Sequence, residues 1–535
     1  MIEQMPWNLC SRLWPLRHRF SFSVCRESQF MRIFAGVMST MSILLISTLL
    51  VWFGVLCLVS RFSGREADND AFFRAGRQSP WWMVGFGMIG ASISGVSFIS
   101  VPGWVASTGM TYLQMCAGFF FGYLVVAFVL LPLYYRLRLT SIYAWLGTRF
   151  GRRTRRTGAL FFILSKLTGA AARLYLVCLI IMHFILPGIP ADSMSGMWAF
   201  VLLSVGVIVL IWLYTRRSGI KTIVRTDALQ TLCLLVALVV MMVMAAQRLG
   251  LDFGGVVQMV RESEMSRVFD WDPASRQNFW KQFFSGVFIV IVMTGLDQDM
   301  MQKNLTCRNL REAQKNMCLY GACFLPVNML LLAFGILLYA LSAASGVTVA
   351  GGDSLLPTLV GEGAMGVAVM VPFTIGIVAA AFSSADSALT ALTTTTCIDL
   401  LAIEDRPLSE AEALRIRRRV HVVLAVAFVG CMAVFKAVGD QSLINAIYVM
   451  ASYTYGPLLG LYAFGLFTRR RLTSERWVPG VCIAAPVVCG VLDYVAPRHW
   501  GFTFGYELLM LNGLLTFAGL TLLSRKGKTT RNRMA

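Results

Sequence analysis

The feature that most constrains this chain is a series of thirteen apolar stretches, each about 20 residues long or longer, more than any water-exposed fold could bury. About 30 Å of hydrocarbon at 1.5 Å rise per residue sets the length of a spanning helix near 20 residues. The stretches fall at about 38–60, 81–108, 111–135, 157–188, 197–214, 219–247, 279–298, 316–343, 364–400, 420–438, 443–467, 477–495 and 503–524. Several exceed one straight span, so tilt or breaks are expected. Only 14% of the 535 residues are charged, well under the roughly 25% of soluble domains, which excludes an ordinary soluble enzyme. The expectation is an all-α polytopic membrane protein of about thirteen transmembrane helices.

The formal charge of +20 would suggest nucleic acid in a soluble protein, but here it sorts by side of the bilayer. Gaps after the odd-numbered stretches, with the tail, hold 33 Lys and Arg, and the others hold 7. Arg152, Arg153, Arg155 and Arg156 form one cluster, and Arg469, Arg470, Arg471 and Arg476 another. By the positive-inside rule the C-terminus is cytoplasmic and the first helix begins outside; the expected location is the plasma (cell inner) membrane, with no nucleic-acid partner. Residues 1–31 read as an N-terminal extension, with Met31 as a candidate start, and 525–535 as a basic tail. The thirteen cysteines lie mostly inside apolar runs, without a CxxC pair, and read as small buried hydrophobes. Four dispersed histidines offer no ligand set for a transition metal, and no nucleophile and base neighbour each other as an enzyme would require.

Charges inside spans are costly and so mark function. Lys166, Arg173, Asp227 and Asp386 stand out, whereas Asp399 lies near a helix end and reads as an interfacial terminus. In the ninth stretch Ala380, Ser383, Ser384 and Ser387 recur at i, i+3, i+4, i+7, which lines hydroxyls along one stripe beside Asp386. Such a stripe can supply about three oxygen ligands to a hard monovalent cation, or it can serve close helix packing. In the second stretch Gly90-Ala91-Ser92-Ile93-Ser94-Gly95-Val96-Ser97, with Pro102 and Gly103, has the composition of a discontinuous helix whose carbonyls face an ion, although proline kinks also serve packing. Lys166 and Arg173, seven apart on nearly one helix face, could contact an anionic solute or pair with Asp227 or Asp386, and Lys166 could instead snorkel to the interface. Ser97, Ser452, Tyr453 and Tyr455 offer hydroxyls and aromatic faces to a small polar solute. The plain reading of Asp227 is a structural or gating acid paired with Arg225 or another cytoplasmic basic residue.

With these helices the chain resembles the sodium/solute symporter family from about residue 40 to 524. The resemblance is carried by Ala71 through Arg77, Gly90 through Gly95, Ser141-Ile142-Tyr143, Arg149-Phe150-Gly151, Thr226-Asp227-Ala228-Leu229-Gln230, Asp297-Gln298 with Gln302-Lys303, Ser383 through Ser387, and Gly460 through Phe467. It implies a LeuT-like core of five plus five helices in inverted repeats, 81–247 and 279–467, preceded by a leading helix at 38–60 and followed by two trailing helices within 477–524. It further implies a main sodium site at the Gly90 and Ile93 carbonyls with Ala380, Ser383 and Ser384. A second cation site would use Asp227, Asp386 and Ser387, where Asp386 replaces a hydroxyl of those relatives. The implied activity is sodium-coupled symport of a small solute by alternating access, with Na⁺ as coupling ion and no other cofactor. An organic or sugar acid is the favoured solute. The residues leave open proton coupling, a solute sensor, and a neutral sugar or amino acid as cargo.

Overall fold

A backbone surrounded by hydrocarbon must satisfy its own N–H and C=O groups, and the apolar stretches do so as helices. The computed structural model describes residues 40–63, 69–186, 189–190, 193–216, 219–273, 275–438, 443–499 and 504–525. The expected extension at 1–31 and all of the basic tail beyond Arg525 lie outside the described residues. In chain order the main helices are α1 (Thr40–Ser63), α2 (Trp81–Ser92), α3 (Gly95–Gly103), α4 (Tyr112–Arg136), α5 (Arg152–Ile185), α6 (Met194–Thr215), α7 (Ile220–Arg248) and α8 (Phe279–Gly295). They continue as α9 (Gln298–Asn304), α10 (Leu310–Ser345), α11 (Met370–Thr395), α12 (Glu410–Val438), α13 (Leu443–Phe467), α14 (Val478–His499) and α15 (Leu508–Leu522). A two-residue antiparallel pair, β1 (Arg471–Leu472) with β2 (Ser524–Arg525), ties the end of α15 to the start of the α14 hairpin.

Among the described residues, nine helices are long and apolar enough to cross a bilayer, or eleven when each of two bent pairs is one span. The sequence expectation of thirteen differs by two helices. One is α15, whose 15 residues fall short of a straight span, and the other is the 25-residue α13, whose first side chains lie outside the described set. The stretch expected at 157–188 begins earlier, at Arg152, so the arginine cluster of 152–156 rides on the first turns of α5 instead of a loop.

Two interruptions organise the centre. The stretch expected at 81–108 breaks between α2 and α3 with a bend of 58°. Ile93 leaves helical geometry at φ −80°, ψ 82°, and Ser94 restarts the helix as its N-cap, its hydroxyl accepting from the Ser97 N–H at 3.3 Å. A short hydroxyl side chain is what such a position favours. The stretch expected at 279–298 breaks as well, bending by 69° between α8 and α9. A wide turn over Ile291–Gly295 loosens the end of α8, and Asp297 caps α9 by accepting from the N–H groups of Asp299 (2.8 Å) and Met300 (3.4 Å). Every residue of α9 is buried.

Packing brings α2 and α11 against α7, and α5 against α11 and α13. Gly90 explains the first approach: a Cβ there would stand 2.1 Å from Thr231 Oγ1 on α7, a distance no side chain tolerates. Gly95 does the same for α3 beside Val177 and Ile377. Small residues at such crossings let helices meet at backbone distance.

Candidate functional site and family

Where the α2–α3 break faces α11, the Ser384 hydroxyl donates to the Ala91 carbonyl at 3.2 Å. The last carbonyls of a helix lack intrahelical partners, so the end of α2 offers oxygens here and the serine stripe answers them. Of the residues expected at the main sodium site, Ile93 lies in the break, Gly90 packs on Thr231 one turn earlier, and Ala380 is buried on the same stripe as Ser384. Ser383 faces α7 instead, its hydroxyl donating to Asp227 Oδ1 at 2.7 Å.

Asp227, Asp386 and Ser387 come together. The Ser387 hydroxyl lies 3.4 Å from Asp227 Oδ2 and 3.3 Å from Asp386 Oδ1, and Tyr214 on α6 donates to Asp386 Oδ2 at 2.7 Å. Ser383 thus connects the two expected cation sites. Sequence reasoning missed the basic partner of this cluster: Lys303 Nζ on α9 lies 2.7 Å from Asp227 Oδ2, with both side chains at most 2% exposed. Arg225, one expected partner of Asp227, does not pair with it.

From Lys303 the charges continue in alternation. Asp299 lies 3.9 Å from Lys303 and 2.7 Å from Lys166, which is also 3.1 Å from Asp297, and the Tyr455 hydroxyl donates to Asp297 at 2.6 Å. Lys166 therefore pairs with neither Asp227 nor Asp386 and does not snorkel; it is buried between two aspartates of the second break. In a low-dielectric interior each of these charges is tolerable only because its neighbours compensate it. The adjoining glutamines position the segment. Gln298 accepts from Ile142 N–H (2.9 Å) and donates to Thr140 (3.0 Å), while Gln302 donates to the Phe73 carbonyl and to Thr394 (both 3.0 Å). The signal that could have found this centre is Asp299 and Lys303 at i, i+4 directly after the apolar stretch of α8.

A cavity of about 120 Å³ lies between the two breaks, lined by Ser92, Ile93, Ser94, Ser97, Lys166, Arg173, Asp297 and Tyr455 among others. Tyr320, which meets both Ser92 and Tyr123 through hydroxyls, also lines it and was not anticipated. Arg173 has no carboxylate within 4 Å among the described residues. Ser452 lines a smaller adjoining cavity with Tyr455. Tyr453 points away, its hydroxyl donating to Asp493 on α14 at 3.1 Å, because one residue's step along a helix turns the side chain about 100°. Asp399 does lie at a helix end, in the turn Thr396–Leu400 that closes α11, but it is buried there and holds Arg155 Nε at 2.8 Å and the Ser141 hydroxyl at 2.5 Å.

The sequence profile of the sodium:solute symporter family matches residues 72–475. The human sodium/iodide cotransporter is 26% identical over 434 residues, covering 78% of this chain, which spans 64% of that protein's length. The sodium/sialic acid symporter NanT of Aliivibrio fischeri is 26% identical over 450 residues, covering 80% of this chain and 83% of that one. In three dimensions the chain is similar to a Na⁺-coupled sialic acid symporter solved in a substrate-bound outward-open state, with a TM-score of 0.74 and 20% identity over 90% of this chain and 99% of that one. The expected polytopic helical fold is thereby established, the count of thirteen spans aside, and the relatives matched in sequence are transporters, not enzymes. The chain belongs to the sodium:solute symporter family.

Proposed function

We propose that this protein is a sodium-coupled symporter that imports a small anionic solute, an organic or sugar acid, by alternating access. The observation that carries the solute class is Arg173: of the two intramembrane cations on α5, Lys166 is neutralised by Asp297 and Asp299, whereas Arg173 lines the cavity with no carboxylate within 4 Å among the described residues. A guanidinium in that position suits a carboxylate, which it can grip through two parallel hydrogen bonds. Relatives named for iodide and for sialic acid support an anionic cargo. Ser97 and Tyr455 would add polar contacts.

For the coupling ion, the Ser384 contact with the end of α2 supports a main site formed by the Gly90 and Ile93 carbonyls with Ala380 and Ser384, and a second at Asp227, Asp386 and Ser387, with Ser383, now turned to Asp227, between the two. Na⁺ bound between α11 and the first break would hold those helices together and complete the solute cavity from outside. The repeats 81–247 and 279–467 would then rock to open it inward. With the arginine-rich face in the cytoplasm, the membrane potential contributes about 2.3 kcal/mol per charge per 100 mV.

The test is uptake into proteoliposomes of labelled organic acids, sugar acids, amino acids and neutral sugars, with an inward Na⁺ gradient or with choline at fixed pH. Accumulation of an acid that disappears in choline, and that needs more Na⁺ in Ser384→Ala, is the expected result. Uptake of neutral solutes only would overturn the anion assignment. A proton is the second reading of the coupling ion, favoured by Asp386, whose partners are hydroxyls: uptake driven by a pH gradient and indifferent to choline would select it.

A further inference from the structure

The arginines at the end of the bundle that the charge count assigns to the cytoplasm are of two kinds. Most that face the protein are satisfied by it. Arg155 pairs with Asp399, Arg74 with Glu404 at 2.8 Å, and Arg149 donates to the carbonyls of Thr468 (2.8 Å) and Arg470 (3.0 Å). Around the start of α5 and the turn Glu475–Trp477 before α14 the pattern differs. Arg152, Arg153, Arg156 and Arg476 line a surface cleft of about 560 Å³ with Ser474 and Glu475. None of the four guanidiniums has a carboxylate within 4 Å among the described residues, and Arg156 donates to the Leu400 carbonyl at 3.4 Å. Glu475, the one acid lining the cleft, accepts from the backbone N–H of Arg153 at 2.9 Å, so it caps α5 and neutralises none of them.

We infer that this cleft binds a phosphate-bearing anion at the edge of the bilayer. Three observations converge on it. Four arginines against one carboxylate give the cleft a strong positive excess, and guanidinium geometry matches phosphate oxygens in pairs. The cleft also sits at the N-terminal ends of α5 and α14, where the helix dipoles add to the attraction for an anion. Trp477, 62% exposed beside Arg476, lies where α14 begins, and exposed tryptophan at a span's end marks headgroup depth. Orientation alone requires basic residues on this side of the membrane; it does not require four of them to converge on one cleft without acidic partners. The phosphate can be supplied by an anionic phospholipid headgroup, which arrives already at this depth, or by soluble phosphate. The inference does not depend on which solute the central cavity carries.

The test uses the purified full chain in neutral detergent, titrated with dioctanoyl-phosphatidylglycerol, dioctanoyl-phosphatidylcholine or inorganic phosphate, with binding read by native mass spectrometry and by the shift in unfolding temperature. Two arginines at about 1 kcal/mol each predict roughly thirty-fold weaker phosphatidylglycerol binding in R153Q/R476Q. The control pair R308Q/R311Q, exposed on the same side, is expected to bind as the parent does. Phosphatidylglycerol binding lost only in R153Q/R476Q identifies a lipid-filled cleft. Binding of inorganic phosphate with the same variant sensitivity identifies the soluble source. No preference for phosphatidylglycerol over phosphatidylcholine together with no response to phosphate overturns the inference, as does equal weakening in both variant pairs.

Discussion

The two broken helices at the centre of the molecule are interrupted by different chemistry. The α2–α3 break is uncharged: glycines admit neighbouring helices, Ser94 caps the restart, and carbonyls are left for the hydroxyl of Ser384. The α8–α9 break is charged: Asp297 caps the restart, and Asp299 and Lys303 one turn apart extend into pairs with Lys166 and Asp227. The first break is therefore held by shape and weak hydrogen bonds, and the second by buried charges that fail expensively when one is removed. A hinge of the first kind can exchange partners cheaply, as ion binding and release require. One of the second kind fixes the relative placement of α5, α7 and α9.

The contrast fails or sharpens on four substitutions. Lys166→Met leaves Asp297 and Asp299 without their shared cation, and about 3–5 kcal/mol of stability should disappear; a loss under about 1 kcal/mol in denaturant unfolding would place the two breaks in one class. Gly90→Ala forces a methyl into Thr231, and overpacking should destabilise by about 1–3 kcal/mol. Adding Thr231→Ala to that variant should restore part of the loss, and no recovery in thermal unfolding would argue against a steric origin. Ser384→Ala removes one neutral hydrogen bond of about 1 kcal/mol, so the half-saturating Na⁺ concentration in uptake should rise about fivefold with little change in stability. An unchanged value would move the ion away from α11. Tyr453→Phe removes a hydroxyl that is bound to Asp493 on α14 and does not line the solute cavity, so solute KM should change less than about twofold. A larger shift would bring this tyrosine back to the solute path.

These regions also differ in how legibly the sequence announces them. Glycine, serine and proline amid apolar residues are conspicuous, so the first break and the serine stripe of α11 are readable from spacing alone. Asp297, Asp299 and Lys303 escape because an expected span ending at 298 assigns the first to its rim and the other two to the loop beyond. The helix in fact resumes there and turns inward with every residue buried. Asp227 is identifiable as an intramembrane acid, but its partner is 76 positions away on another element (303 − 227). No local periodicity encodes that pairing. Tyr214 and Tyr320 were indistinguishable from packing aromatics until their hydroxyls found Asp386 and Ser92. Asp399 is legible as a helix-end acid, but its burial is not, because nearness to a helix end says little about burial when Arg155 and Ser141 close over it.

Asp297 carries a last consequence. One carboxylate simultaneously starts α9, meets Lys166 of α5 and receives the Tyr455 hydroxyl of α13. Three elements thus share a single fastening, and a displacement of α9 that strains one of its bonds strains the others. Such a fastening behaves as a latch: it resists small excursions and then gives way as a whole. In the proposed transport cycle, a latch at the midpoint would favour closed or opened arrangements over those between them and so would keep ions from slipping through unaccompanied.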